Sequence, residues 1–259
     1  MILPHERIAD IRMRLDRDGR VIAADLARDY DTSEDTIRRD LRDLAAAGFC
    51  RRVYGGALPI SPASGTLAER RLVNADAKMA LGRAAAALAV SGQLIVLDAG
   101  STNLCIARAL ATQASLTIAT NAPSIAAALE HASGIDLIMI GGSVDKRTGG
   151  TLGARALRDA LVLRPDLYFI GACAVEVETG VSVFGAEEAE LKRALIEASG
   201  SVATAVTDDK VGTGALFAVL PWTDLDHLIV EHETSLTRMR RPHDAGPQIH
   251  VAQPAKETP

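Results

Sequence analysis

Two rhythms of apolar residues divide the chain. Over residues 5–48 they recur every three or four positions: Ile8, Ile11 and Leu15; Leu26, Ala27 and Tyr30; Ile37, Leu41 and Leu44. That period predicts three short amphipathic helices, the first stopped by Asp18-Gly19 and the last by Gly48. Ser33 is placed to cap the third helix, with Glu34 and Asp35 at its positive end. Phe49 to Ala57 then alternates side chains and closes on Gly55-Gly56, as a short β-hairpin does. Pro59 to Gly65 has no period and reads as a joint between domains.

Beyond the joint the rhythm changes to short apolar runs separated by Ala- and Leu-rich helical stretches. Leu94–Leu97, Leu116–Ala119, Leu137–Ile140, Leu167–Ile170, Val202–Val206 and Leu228–Val230 each suit a strand buried on both faces. The alternation predicts an α/β fold with a mostly parallel sheet. The expected organisation is therefore residues 1–58 as one domain, 59–65 as linker and 66–236 as the second domain. The Pro-, Gln- and Lys-containing stretch 237–259 lacks apolar periodicity and is expected to be disordered.

Composition narrows the class. Nearly half of the 259 residues are apolar, no apolar run reaches membrane-spanning length, and the start lacks the basic-then-apolar order of an export signal, so a cytoplasmic protein is expected. Cys50, Cys105 and Cys173 have neither zinc-site nor disulfide spacing, and no metal or cofactor is expected. The formal net charge is -5, but nucleic acid needs only a local positive patch. Residues 36–58 carry five arginines (Arg38, Arg39, Arg42, Arg51, Arg52) against Asp40 and Asp43.

On a helix whose inner stripe is Ile37, Leu41 and Leu44, Arg39 and Arg42 project away from the core with Arg38 on the flank. Two helices joined by a tight turn, the second presenting arginines near its start, match a helix-turn-helix reader, and the basic hairpin beside it matches a wing whose arginines straddle phosphates. The alternative for the arginines alone is a solvated face with local pairs, Asp35 to Arg39 and Arg39 to Asp43.

In parallel sheets ligands collect beyond the carboxyl ends of the strands, and those positions are polar and glycine-rich here: Asp98-Ala99-Gly100-Ser101-Thr102-Asn103, Thr120-Asn121, Gly141-Gly142, Gly171-Ala172, Asp208-Asp209-Lys210 and His232. The first opens a helix whose amides and hydroxyls could receive a phosphate, and the whole set predicts a phosphosugar pocket; loops of this kind also simply cap helices.

Ser33, Thr36-Ile37-Arg38-Arg39-Asp40-Leu41 and Arg52-Val53-Tyr54-Gly55-Gly56-Ala57 together resemble the signature of the DeoR family of bacterial transcription regulators. The resemblance continues through Asp98-Ala99-Gly100-Ser101-Thr102, Thr120-Asn121, Gly141-Gly142, Gly171-Ala172 and Glu187 to Ala194, covering roughly residues 5–232. It implies a winged helix-turn-helix with Ser33, Thr36, Arg38, Arg39, Arg42, Arg51, Arg52 and Tyr54 toward double-stranded operator DNA. It also implies a sensor fold similar to ribose-5-phosphate isomerase, with a sugar-phosphate effector at Asp98, Gly100, Ser101, Thr102, Asn121, Gly141, Gly142, Gly171, Glu187 and Lys210. The chain departs from the family pattern at Ala174-Val175-Glu176, where Gly-Ile-Asp is common, and at Thr207-Asp208-Asp209-Lys210, where Asp-x-Ser-Lys is common.

These readings favour a homo-oligomeric repressor of carbohydrate genes controlled by a phosphorylated sugar. One competitor is a sugar-phosphate isomerase with Glu176, Glu187 or Asp208 as base and Lys210 stabilising an enediolate. Another is a regulator whose second domain only oligomerises.

Overall fold

The computed structural model describes residues 3–63, 65–112, 115–232 and 246–253. The amino-terminal unit runs α1 (Pro4–Asp18), β1 (Val21–Ile22), α2 (Ala23–Asp29), α3 (Glu34–Ala46), β2 (Cys50–Val53) and β3 (Gly56–Pro59). Its helices pack Ile11, Leu15, Leu26, Ile37, Leu41 and Leu44 into one core with Cys50 and Ala57. Ser33 caps α3 as expected, its Oγ accepting from the Thr36 amide at 3.2 Å. The hairpin is joined by β1 into an antiparallel sheet of order β1-β3-β2. At Gly56 only glycine fits, since a Cβ would lie 1.9 Å from the Val21 carbonyl oxygen.

One polar pair lies under this core. Arg7 grips Asp40 with two hydrogen bonds, 2.6 and 3.3 Å, both side chains buried. Asp40 thus turns inward and is neutralised by α1, which leaves the outer face of α3 more positive than a count along the sequence indicates.

The second unit contains α4 (Leu67–Leu72), α5 (Ala75–Ala86), β4 (Leu94–Leu97), α6 (Ser101–Leu110), β5 (Leu116–Thr120), α7 (Pro123–Leu129), β6 (Ile135–Met139), β7 (Ser143–Asp145), β8 (Gly150–Leu152) and α8 (Ala154–Leu161). It continues with β9 (Leu167–Phe169), β10 (Ala174–Glu176), β11 (Gly180–Val183), α9 (Ala186–Ala198), β12 (Val202–Ala205), β13 (Phe217–Leu220), β14 (His227–Val230) and β15 (Gln248–Val251). Seven strands form one sheet, order β15-β14-β12-β9-β4-β5-β6, every adjacent pair parallel. The α/β expectation holds, with one apolar cluster on each face of the sheet. From β4 the chain first winds one way to β5 and β6, then returns to β9 and winds the other way. The topological switch therefore falls between β4 and β9, where such sheets open a crevice. A small antiparallel sheet, β10-β11-β13, stands beyond that crevice.

Three expectations need correction. The tail expected to be disordered from residue 237 includes β15, which pairs residue for residue with β14, His227 to Gln248 through Val230 to Val251. An edge strand shares hydrogen bonds on one side only and can carry polar side chains, so its low hydrophobicity mimics a solvated tail; residues 237–245 and 254–259 lie outside the described residues. The third run, read as doubly buried, is the edge strand β6, with Leu137, Ile138 and Met139 38–40% exposed. The linker, read as a joint, is a packed strut: Ser61 is buried, its Oγ donates to the Cys173 carbonyl, and its amide donates to Gly214 O at 3.2 Å.

Candidate functional site

The DNA-facing candidates separate by their neighbours. Arg39, Arg42 and Arg52 are exposed, and Tyr54 at the hairpin tip is wholly so. Arg38 is held by its own helix, 2.8 Å from Glu34 and 3.3 Å from Asp35. The local pairing considered for Arg39 thus falls on Arg38, whose side chain leans toward the acidic first turn. Thr36 is half-buried against Ser33, Oγ to Oγ1 at 2.9 Å. Arg51 turns the other way: its stem lies over Gly214 and its Nη2 donates to Leu216 O at 2.9 Å. It belongs to the contact between the two units, not to the exposed basic face. Arg20, absent from the sequence reading, makes a parallel contact, 2.7 Å from Glu178 and 3.7 Å from Glu176.

A narrow cavity of about 30 Å³ opens at the switch point, walled by Gly100, Ser101, Thr102 and Asn103 after β4, Gly171, Ala172 and Cys173 after β9, Glu188 on α9, and Lys210 beyond β12. The start of α6 points into it, and the first amides of a helix have no acceptor within the helix. Thr102 is 5% exposed and its Oγ1 has no hydrogen-bond partner. A buried hydroxyl left unmated among donors is a position prepared for an acceptor. Lys210 gives one hydrogen bond, to Ala172 O at 3.0 Å; burial pushes its ammonium below the ordinary lysine range, with Lys78 and Arg70 adding repulsion that nearby Cys173 and Asp209 oppose.

The outer wall comes from the segment joining the units. Ala63 and Arg70 close the cavity there. Arg70 donates to the carbonyls of Gly65, Arg147 and Thr148, the latter two at 3.1 and 3.4 Å. Lys78 is buried and binds the carbonyls of Arg70 and Val73 at 2.5 Å each, fixing α4 to α5.

Asp98 was expected to meet the effector but lies behind the cavity wall. Its carboxylate accepts from Gly171 N at 2.7 Å, Asn103 Nδ2 at 2.9 Å, the Tyr168 hydroxyl and Lys192 Nζ. The loops after β4 and β9 are thereby clamped together. Burial and the Asp98 carboxylate push the Tyr168 phenol well up; for Lys192, burial works against the charge, but Asp98 and Glu188 outweigh it and hold the ammonium above its ordinary value. A Cβ at Gly171 would lie 2.6 Å from Asp98 Oδ1, so the close approach requires glycine.

Asn121 also positions rather than lines: its Oδ1 accepts from Ala99 N and its Nδ2 donates to Thr151 O, both at 2.9 Å. Gly141 and Gly142 lie off the cavity, the first donating its amide to Asp159 at 3.1 Å. Glu187 is exposed; the neighbouring Glu188 is the residue that turns inward. The helical phase of Ala189, Leu191, Lys192 and Leu195 carried that signal, because Glu188 shares their buried stripe. No sequence signal marked Arg70 or Ala63, whose chain lies far from the loops they meet. Of the three proposed bases, Glu176 is spent on the amides of Glu178 and Thr179, and neither Glu187 nor Asp208 lines the cavity. Asp208, Glu231 and His232 bring ligand atoms within 4.8 Å of one another at the ends of β12 and β14, with one Glu231 oxygen taken by the Asp208 amide.

A winged helix-turn-helix joined to an α/β unit with a crevice at its switch point defines a two-domain DNA-binding regulator. Residues 7–63 match the DeoR-like helix-turn-helix domain and residues 73–232 the DeoR C terminal sensor domain. The chain belongs to the DeoR family of transcription regulators. It is similar to the HTH-type transcriptional regulator GolR of Listeria innocua, 29% identical across 97% of this chain and 100% of that protein. It is also similar to the glycerol-3-phosphate regulon repressor of Escherichia coli, 30% identical across 76% of this chain and 79% of that one. Among solved structures, the full-length sorbitol operon regulator SorC of Klebsiella pneumoniae covers 90% of this chain and 98% of its own at 11% identity and a TM-score of 0.44. Ribose 5-phosphate isomerase A of Methanocaldococcus jannaschii covers 55% of each chain at 17% identity and a TM-score of 0.40. Among the described residues no helix is long and apolar enough to cross a membrane.

Proposed function

We propose that the protein represses genes of carbohydrate metabolism in the cytoplasm by binding operator DNA as a homo-oligomer, and that a phosphorylated sugar in the β4/β9 cavity controls it. The observation that carries the effector reading is the buried, unmated Thr102 hydroxyl at the positive end of α6, with Lys210 and Arg70 on the same cavity. Three kinds of donor converging on one point suit a phosphate; Glu188 beside them suits sugar hydroxyls. We read the cavity as sensory, because none of the side chains weighed as bases lines it and its outer wall is the strut to the DNA-binding unit.

The cavity holds little more than a water as it stands. A sugar phosphate enters by displacing Ala63 and Arg70, and the same segment continues within a few residues into the wing strand β3. An effector that favours the opened arrangement thereby changes the population able to bind DNA, and release from DNA is the expected direction.

The test is thermal unfolding of the full chain with a panel of sugar phosphates, glycerol 3-phosphate and inorganic phosphate included. A ligand at a hundred times its Kd stabilises by about 2.7 kcal/mol, a rise of roughly 5–10 °C for a domain of this size. No rise with any compound would remove the effector reading and leave a domain that only oligomerises. Turnover of ribose 5-phosphate to a ketose would overturn the sensory one.

A further inference from the structure

The edge strand β6 carries apolar side chains on both faces and is only partly covered on either. Its register with β5 sets Ile138 beside Ala119, on the α8 side of the sheet, and Leu137 and Met139 beside Ile118 and Thr120, on the α7 side. All three are 38–40% exposed, and β6 has no strand on its outer edge among the described strands. Edge strands of soluble proteins are ordinarily protected by lysine, proline or a bulge. None of these lies in Ile135–Met139, whose single charge is Asp136.

No described strand lies along the outer edge of β6, and the strand's own pattern fits a second copy. Antiparallel pairing about a two-fold axis at Ile138 sets Leu137 opposite the partner's Met139 and Ile138 opposite the partner's Ile138, apolar against apolar on both faces. The two Asp136 side chains fall four residues apart, about 13 Å, beyond the screening length at physiological salt.

We propose that β6 pairs with β6 of a second copy, joining the two sheets into one through an isologous interface. The inference deepens the oligomer in the reading above by naming its surface. Such an axis would also relate the two DNA-binding units as paired half-sites require.

Light scattering on the full chain without DNA tests it. The unsubstituted protein is expected at no less than twice 27.2 kDa, and Ile138→Lys, at an already exposed position, should halve the mass while leaving circular dichroism unchanged. Because a substitution could disturb folding, Ile138→Cys provides a second reading. Across the axis the two Cα atoms would stand about 4.5–5.5 Å apart, within disulfide range, so mild copper-catalysed oxidation should yield a cross-linked dimer. Val90→Cys, exposed elsewhere, should not. A monomeric unsubstituted chain, or an oligomer that resists Ile138→Lys and gives no Ile138→Cys cross-link, overturns the proposal. Loss of DNA binding by a protein that still dimerises through β6 would count against the repressor reading instead.

Discussion

Replacing Thr102 by valine should move stability and ligand binding in opposite directions. In the empty protein the Thr102 hydroxyl is buried without a partner, and an unsatisfied buried polar group costs about 1–3 kcal/mol. Valine keeps the branched shape and removes that cost. Taking the low end, the unliganded protein gains about 1 kcal/mol, a rise of roughly 2–4 °C in Tm. Bound phosphate would accept from the same hydroxyl, and a hydrogen bond to a charged group contributes about 1.5–3 kcal/mol. Its loss weakens binding by roughly 10- to 150-fold. Differential scanning calorimetry measures the first effect, and titration calorimetry with the best sugar phosphate from the panel measures the second. A fall in Tm would mean that the hydroxyl already has a structural partner. Unchanged affinity would mean that the phosphate sits elsewhere. Either result refutes the assignment, because a structural threonine and a binding threonine predict different signs.

The exposed basic face and the turned-in arginine should separate by salt dependence. Arg39→Ala and Arg52→Ala should each lower the slope of log K against log salt by about 0.9 if they neutralise a phosphate, whereas Arg51→Ala should leave it unchanged; gel retardation at four salt concentrations measures this, and a changed slope for Arg51→Ala would place that side chain on DNA. Asp40→Ala strands Arg7 in the core and should cost about 3–5 kcal/mol, seen as a lower urea midpoint; Arg7→Met with Asp40→Leu should recover most of it. His250 is held below its ordinary pKa of 6.5 by burial and by His227, 3.1 Å away. The unfolded chain therefore takes up that proton first, so stability is lost as pH falls below about 6.5 and is present above it. His250→Asn should flatten the urea midpoint between pH 7 and pH 6; an equal decline in both proteins would rule His250 out as the cause.

Local chemistry in the sequence determined the helices and most of the strands. The three-residue rhythm of Ile37, Leu41 and Leu44, the Ser33 cap and the glycine stops act within a turn or two of chain, so they are legible without neighbours. The apolar runs likewise marked five of the six proposed strands as interior, and the donor-rich loop after Leu97 marked the end of the sheet that opens the cavity.

Tertiary structure decided which side chains face the cavity. Asp98 follows β4 and Thr102 stands four residues on in the first turn of α6, yet one clamps the loop after β9 from behind and the other lines the space. Arg70 and Ala63 enter from the strut, a contact between segments that no local period encodes. The same holds for Arg51, turned from the wing by the Leu216 carbonyl, and for β6, whose apolar run is that of an interior strand although it ends at a sheet edge. Period and propensity report what a residue prefers to touch; the fold alone settles what is there to be touched.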